Sequence, residues 1–279
     1  MKINNSIKSQ TSKTIVFIHG MFLNPYCWDS WIGFFQKHGY TCYAPAYPMH
    51  IGSPGALRLK PHENLGNLNF NHVLQSLTDY IAKLPEKPIL IGHAMGALFV
   101  QKLINLNIGL GGICLSSAPP YGISCFKCSF LKHSIPILNS FKKNLIVKPS
   151  LKWFHSAFCN SLSIERTYEL YKTYVVPESR NILRTSRAKE AVINFNLKHT
   201  PLLFIAASND SVYPPVISEK IFSSYTHSQS IKSIVVFPDR YHFIICQENW
   251  QEIAAYVISW IESNILINSI KLANADVFI

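Results

Sequence analysis

Between Pro88 and Ala97 the chain reads Pro-Ile-Leu-Ile-Gly-His-Ala-Met-Gly-Ala, a run that few folds accept. Ile89-Leu90-Ile91 has the apolar, β-branched character of a strand covered on both faces. Leu98, Val100, Leu103 and Ile104 then recur at helical spacing. Only Gly92 to Gly96 remain to turn extended strand into helix. Glycines at both ends of that turn remove Cβ atoms that would clash in so sharp a corner. Ala94 sits at the apex, with His93 and Met95 on either side, and its side chain is expected to stand above the edge of a sheet.

The rest of the chain repeats this alternation. Thr14 to Gly20 reads as a buried strand ending in glycine, and Met21 to Asp29 as a loop. Trp28, Trp31, Ile32 and Phe35 fall at helical spacing, with Gly39 as a stop. Tyr40 to Pro48 alternates like a second strand, and His50 to Asn71, rich in Gly, Pro and Asn, reads as loop. An amphipathic helix through Val73, Leu77 and Ile81 ends before Pro85. After the central corner, Gly112 to Ser117 is the next strand. From Tyr121 to about Asn196 the pattern changes to short apolar clusters, basic residues and helical pieces without a convincing strand. Strands resume at Pro201–Ala207 and Ile234–Phe237, with helices over Val216–Tyr225 and Trp250–Ile261. Strands alternating with helices imply an α/β fold, a mostly parallel sheet with helices on both faces. The expected organisation is a core of residues 1–120 and 197–263, a helical cap insertion over 121–196, and a tail over 264–279 that the pattern does not place.

Composition bounds the function classes. At 279 residues with 48% apolar and 15% charged, the chain builds a full core and is not disordered. A polar start from Met1 to Thr14, before an apolar run of only Ile15 to Ile18, predicts neither signal peptide nor membrane span. Seven irregularly spaced cysteines read as reduced thiols, and the expected location is cytoplasmic. The formal charge is +11, and residues 121–200 hold 13 Lys and Arg against four Glu. That basic segment points to a partner, a membrane surface or an acidic macromolecule, rather than to nucleic acid, for which no binding module is present. Cys125, Cys128, His155 and Cys159 offer four zinc-type ligands, but their spacing is poor and no metal is expected.

With the corner at Gly92–Gly96, His19-Gly20 after the first strong strand, Asp210 after a late strand and His242 after the last, the chain resembles the α/β-hydrolase fold superfamily with a cap domain, which includes esterases, lysophospholipases and thioesterases. The resemblance spans roughly residues 14–263. It implies hydrolysis of a carboxylic ester or thioester with an apolar acyl group, without a cofactor. His242 would be the general base and Asp210 its orienting acid, with the Met21 and Met95 backbone N–H groups as the oxyanion hole. His19 would brace its loop, and His93 would face the packed side of the corner.

The departure lies at Ala94, the nucleophile position, where the motif Gly-x-Ser-x-Gly requires a hydroxyl. Cys114, Ser116 and Ser117 lie on the neighbouring strand, poorly placed to substitute. Three explanations stay open. The chain is an engineered inactive serine hydrolase, a natural enzyme using only the His242–Asp210 pair, or a ligand-binding descendant without catalysis. In the cap, apolar clusters such as Ile135–Leu138 and Leu145–Val147 interleave with Lys132, Lys142, Lys143, Lys148 and Lys152. This suits a small-molecule ligand with an acyl chain and an anionic head group, or equally an ordinary solvated lid.

Overall fold

The structure is a computed structural model and describes residues 12–124, 128–138 and 145–266. Six strands form the main sheet: β1 (Thr14–Ile18), β2 (Thr41–Tyr43), β3 (Ile89–His93), β4 (Gly111–Leu115), β7 (Leu202–Ala207) and β8 (Lys232–Phe237). Two further strands, β5 (Ile146–Val147) and β6 (Glu178–Ser179), pair with each other outside it. The main sheet runs β2-β1-β3-β4-β7-β8 with every pairing parallel, so its loops collect at one edge. Every residue of β1, β3, β4 and β7 is buried, as their unbroken apolar runs require.

Helices α1 (Asp29–Lys37), α3 (Phe70–Ile81), α4 (Met95–Asn105), α9 (Pro215–Ser224) and α10 (Trp250–Ile261) cover the sheet. Trp31 and Phe35 of α1 pack on Phe17 of β1, and Phe70 of α3 stacks on Phe99 of α4 with ring centres 4.4 Å apart. Between β4 and β7 the chain adds α5 (Cys128–Leu138), α6 (Leu151–Phe158), α7 (Ile164–Tyr174) and α8 (Arg180–Thr185).

Three expectations need correction. The stretch from His50 to Asn71 is not all loop. Helix α2 (Pro54–Leu59) starts there, with Ser53 Oγ accepting from Ala56 N and Pro54 opening the first turn, and a 3-10 turn follows at Glu63–Asn67. The second strand is confined to Thr41–Tyr43, because the chain leaves the sheet to wrap Tyr47 around His19. The inserted segment does hold a strand pair, β5–β6, too short to leave a periodic signal. At the C-terminus, α10 runs into a π-helical turn over Glu262–Leu266, and Ile265 packs into the core with 3% exposure. The remainder of the tail lies outside the described residues.

Candidate active site

The corner after β3 forms as its glycines dictate. Ala94 takes φ 54° and ψ −114°, an unfavourable backbone for a residue with a Cβ. A Cβ on Gly96 would lie 2.1 Å from Ile18 O, and one on Gly92 2.4 Å from Gly96 O. The corner therefore nests against the end of β1, where a Cβ on Gly20 would lie 3.1 Å from the Ala94 methyl. Met21 and Met95 follow these two turns directly. Neither backbone N–H donates to a described residue, and Met95, as the first residue of α4, has no carbonyl a turn earlier in the helix.

His19 braces this region. Its Nδ1–H donates to Gly20 O at 2.9 Å, its Nε2 accepts from Tyr47 N at 3.3 Å, and its ring stacks on Tyr47 at 3.8 Å. Burial first, and then the nearby His50, lowers its pKa to about 3, so the ring stays neutral. His93, beside the apex of the corner, is fully buried. Its Nε2–H donates to the backbone carbonyl of His242 at 2.8 Å, and burial together with the His242 charge holds it well below the usual histidine range.

His242 and Asp210 meet above the sheet edge. His242 Nδ1–H donates to Asp210 Oδ2 at 2.8 Å, with both side chains at most 1% exposed. Asp210 Oδ1 accepts from Val212 N at 2.8 Å and Tyr213 N at 2.7 Å, so the carboxylate is pinned by its own loop. That arrangement fixes the tautomer of His242 and leaves Nε2 without a hydrogen bond to any described residue. Phe158 and Tyr213 flank the ring edge-on at 4.7 and 5.3 Å.

Ala94 and His242 line one cavity, with Met21, Met95 and Tyr213 around them. Its volume is about 30 Å³, room for water only, and Ala94 is 4% exposed rather than open above the sheet. The inserted segment closes it, contributing His133, Ser134, Trp153 and Phe158 among others. Nothing in the sequence marked His133, Ser134 or Trp153 for the site, because each sits on an ordinary helical stretch whose inward face only tertiary packing sets. Ser117 and Cys114 are turned to Ala118 O and Ala97 O, and Ser116 is buried off the cavity. Of the zinc-type residues, Cys125 lies outside the described residues and His155 is bonded to Leu162 O. Among the described residues no group of three metal-binding side chains converges.

The profile of the Alpha/beta hydrolase family matches residues 15–256, and the chain belongs to that family. No curated protein matches it by sequence. A methylesterase from Arabidopsis is similar in structure, with a TM-score of 0.65 at 14% identity over 89% of this chain and 98% of its own. Tomato methylketone synthase I in complex with 2-tridecanone gives 0.67 at 17% identity, covering 91% and 99%. A monoacylglycerol lipase from Paleococcus ferrophilus gives 0.66 at 19% identity, covering 90% and 94%. At such identities the likeness extends to the fold.

Proposed function

We propose that this chain binds a carbonyl compound with an apolar chain, of the carboxylic ester or thioester class, and works on it without forming an acyl-enzyme. One observation carries this reading: the His242–Asp210 pair is assembled and buried, and the cavity that His242 lines is also lined by Ala94, which carries no hydroxyl. In this reading the Met21 and Met95 amides receive the carbonyl oxygen, His242 Nε2 takes or returns a proton, and Asp210 holds the ring and stabilises the imidazolium. Phe22, Ile137, Phe158 and Leu183 supply an apolar wall for the chain. The inserted segment over 121–196 acts as the cap, and its walls must yield for any ligand larger than water.

Ala94→Ser tests this site. The variant should hydrolyse p-nitrophenyl esters faster than the parent by roughly three orders of magnitude or more, and His242→Ala should abolish the gain. A fluorophosphonate probe should label the variant and not the parent. Labelling of the parent, or no gain in the variant, overturns the reading.

A second reading follows from the same missing hydroxyl. The solved methylketone synthase I holds 2-tridecanone, and a variant of it holds β-ketoheptanoate. Loss of CO₂ from a 3-oxo acid needs no nucleophile. His242 Nε2 takes the acid's carboxyl proton, and the bond to the carboxyl carbon breaks to release CO₂. Its electron pair forms an enolate whose oxygen the amides can receive, and the same proton, returned by His242 to the α-carbon, gives the ketone. Among the described residues no Lys or Arg lines the cavity, so a carboxylate there would be desolvated, which favours its departure as CO₂. Incubation with 3-oxo acids of several lengths and detection of the methyl ketones tests it, and no turnover above a His242→Ala control rejects it.

A further inference from the structure

The cap contributes three polar side chains, His133, Ser134 and Trp153, to a cavity that is otherwise mostly apolar, and the proposed proton chemistry uses none of them. Trp153 Nε1–H is buried and has no hydrogen-bond partner among the described residues. His133, 3% exposed on α5, makes no hydrogen bond to a described residue, and its ring meets Trp153 edge-on at 6.4 Å. Burial first, then Lys132 and His242, lowers the His133 pKa to about 4, so at neutral pH the ring offers one donor and one acceptor nitrogen without charge. Both residues line the cavity that holds Ala94 and His242. Trp28 Nε1 is equally unpartnered, but it is sealed in the core away from this cavity, where no ligand reaches it.

A buried N–H without a partner is costly, and one that faces a cavity is answered by whatever fills that cavity. We infer that the site selects ligands carrying a second, neutral oxygen along the chain, a hydroxyl or oxo group, which accepts from Trp153 Nε1–H and contacts His133. The inference rests on the carbonyl-binding reading above and narrows it from simple acyl compounds to hydroxy- or oxo-substituted ones. A neutral oxygen is favoured over a carboxylate because neither Trp153 nor neutral His133 supplies compensating charge.

Calorimetric titration of the full chain with 2-nonanone and with 4-hydroxy-2-nonanone tests this directly, since the pair shares one carbonyl and one chain length. The hydroxylated ligand should bind about tenfold more tightly, the worth of one hydrogen bond that satisfies a buried donor. Trp153→Phe, which keeps an aromatic ring at that place and removes the N–H, should bring the two affinities together. Equal binding of the pair by the parent protein overturns the inference and leaves the carbonyl site standing. A preference that survives both Trp153→Phe and His133→Leu also overturns it. Binding of neither ligand sinks the carbonyl site and the inference together.

Discussion

The most quantitative prediction concerns a buried charge pair that ties the inserted segment to the core. His50, in the loop after β2, faces Glu178 of β6 with Nε2 and Oε2 3.2 Å apart, and the two side chains are 1% and 0% exposed. The approach is off the ideal hydrogen-bond line, so charge rather than alignment holds it. Around it, Glu178 Oε1 accepts from Ser179 N, Ser179 Oγ donates to Gly66 O and Leu68 O, and Arg180 donates to Ile137 O of α5 beside the cavity. Burial alone would lower the His50 pKa, but the close Glu178 charge, with the Pro48 carbonyl, outweighs it and leaves the pKa raised. A raised pKa means that the folded protein holds a proton which the unfolded chain, titrating near 6.5, has begun to release. The stabilisation is therefore complete below about pH 6.5 and is lost as pH rises through the folded-state value, at about 1.4 kcal/mol per pH unit. Glu178→Gln removes the charge but keeps a polar group against Ser179 N. Breaking a buried pair costs about 3–5 kcal/mol, so a loss of about 3 kcal/mol is expected at pH 6. Urea denaturation of both proteins from pH 6 to pH 9 should show that gap narrowing with pH, while contributions from other groups cancel in the difference. A gap below about 1 kcal/mol at pH 6, or one independent of pH, would refute the assignment of a protonated His50.

Two further outcomes follow from the geometry. Gly96→Ala would drive a methyl to 2.1 Å from Ile18 O, a backbone atom that cannot step aside, so little folded protein should be recovered, whereas Gly33→Ala on α1, with open space at that point, should fold normally. Lys132, Lys148 and Lys152 are exposed on the inserted segment, so the protein should co-sediment with anionic vesicles at low salt and be released by high salt. Absence of binding at both salt concentrations would remove the membrane-surface partner.

How much of this was legible in the sequence depends on the range of the signal. The corner at Gly92–Gly96 was plain because its causes are local: an apolar run, two glycines and a helical period. Asp210 and His242 were legible through position, each directly after a strand, although no residue spacing could state that their side chains would come within 2.8 Å. Helix α2 was missed because Gly and Pro suggested loop, while Ser53-Pro54, a good cap and first-turn pair, was the available signal. His50 with Glu178, and His133 with Trp153, left no trace, since each pair is made by loops and helices that meet only when the inserted segment docks. The basic excess of that segment was visible as charge, but part of it is inward-facing structure. Arg180 is 4% exposed and bonded to the Ile137 carbonyl.

The corner also shows how the backbone at Ala94 is held without any polar side chain at its apex. Where an apical hydroxyl bonds to such a histidine, each helps to hold the other in place. Here neither partner depends on such a bond. Ala94 N donates to Leu115 O at 2.9 Å, Ala94 O accepts from Ala97, Leu98 and Ala118, and the two glycines seat the turn on β1. The strained φ of 54° is thus imposed from both neighbouring strands by groups that do not include the apical side chain. His242 is held independently, by Asp210 at Nδ1 and by His93 at its own carbonyl. A serine at position 94 would consequently arrive in a position already set, and Ala94→Ser should change the unfolding free energy by less than about 1 kcal/mol. If such a variant is stable yet still fails to hydrolyse esters, the corner is intact but the site lacks more than a hydroxyl, and the proposed reading falls. If it is destabilised by several kcal/mol, the corner does not accommodate a hydroxyl, and the view of an intact site lacking only that group has to be abandoned.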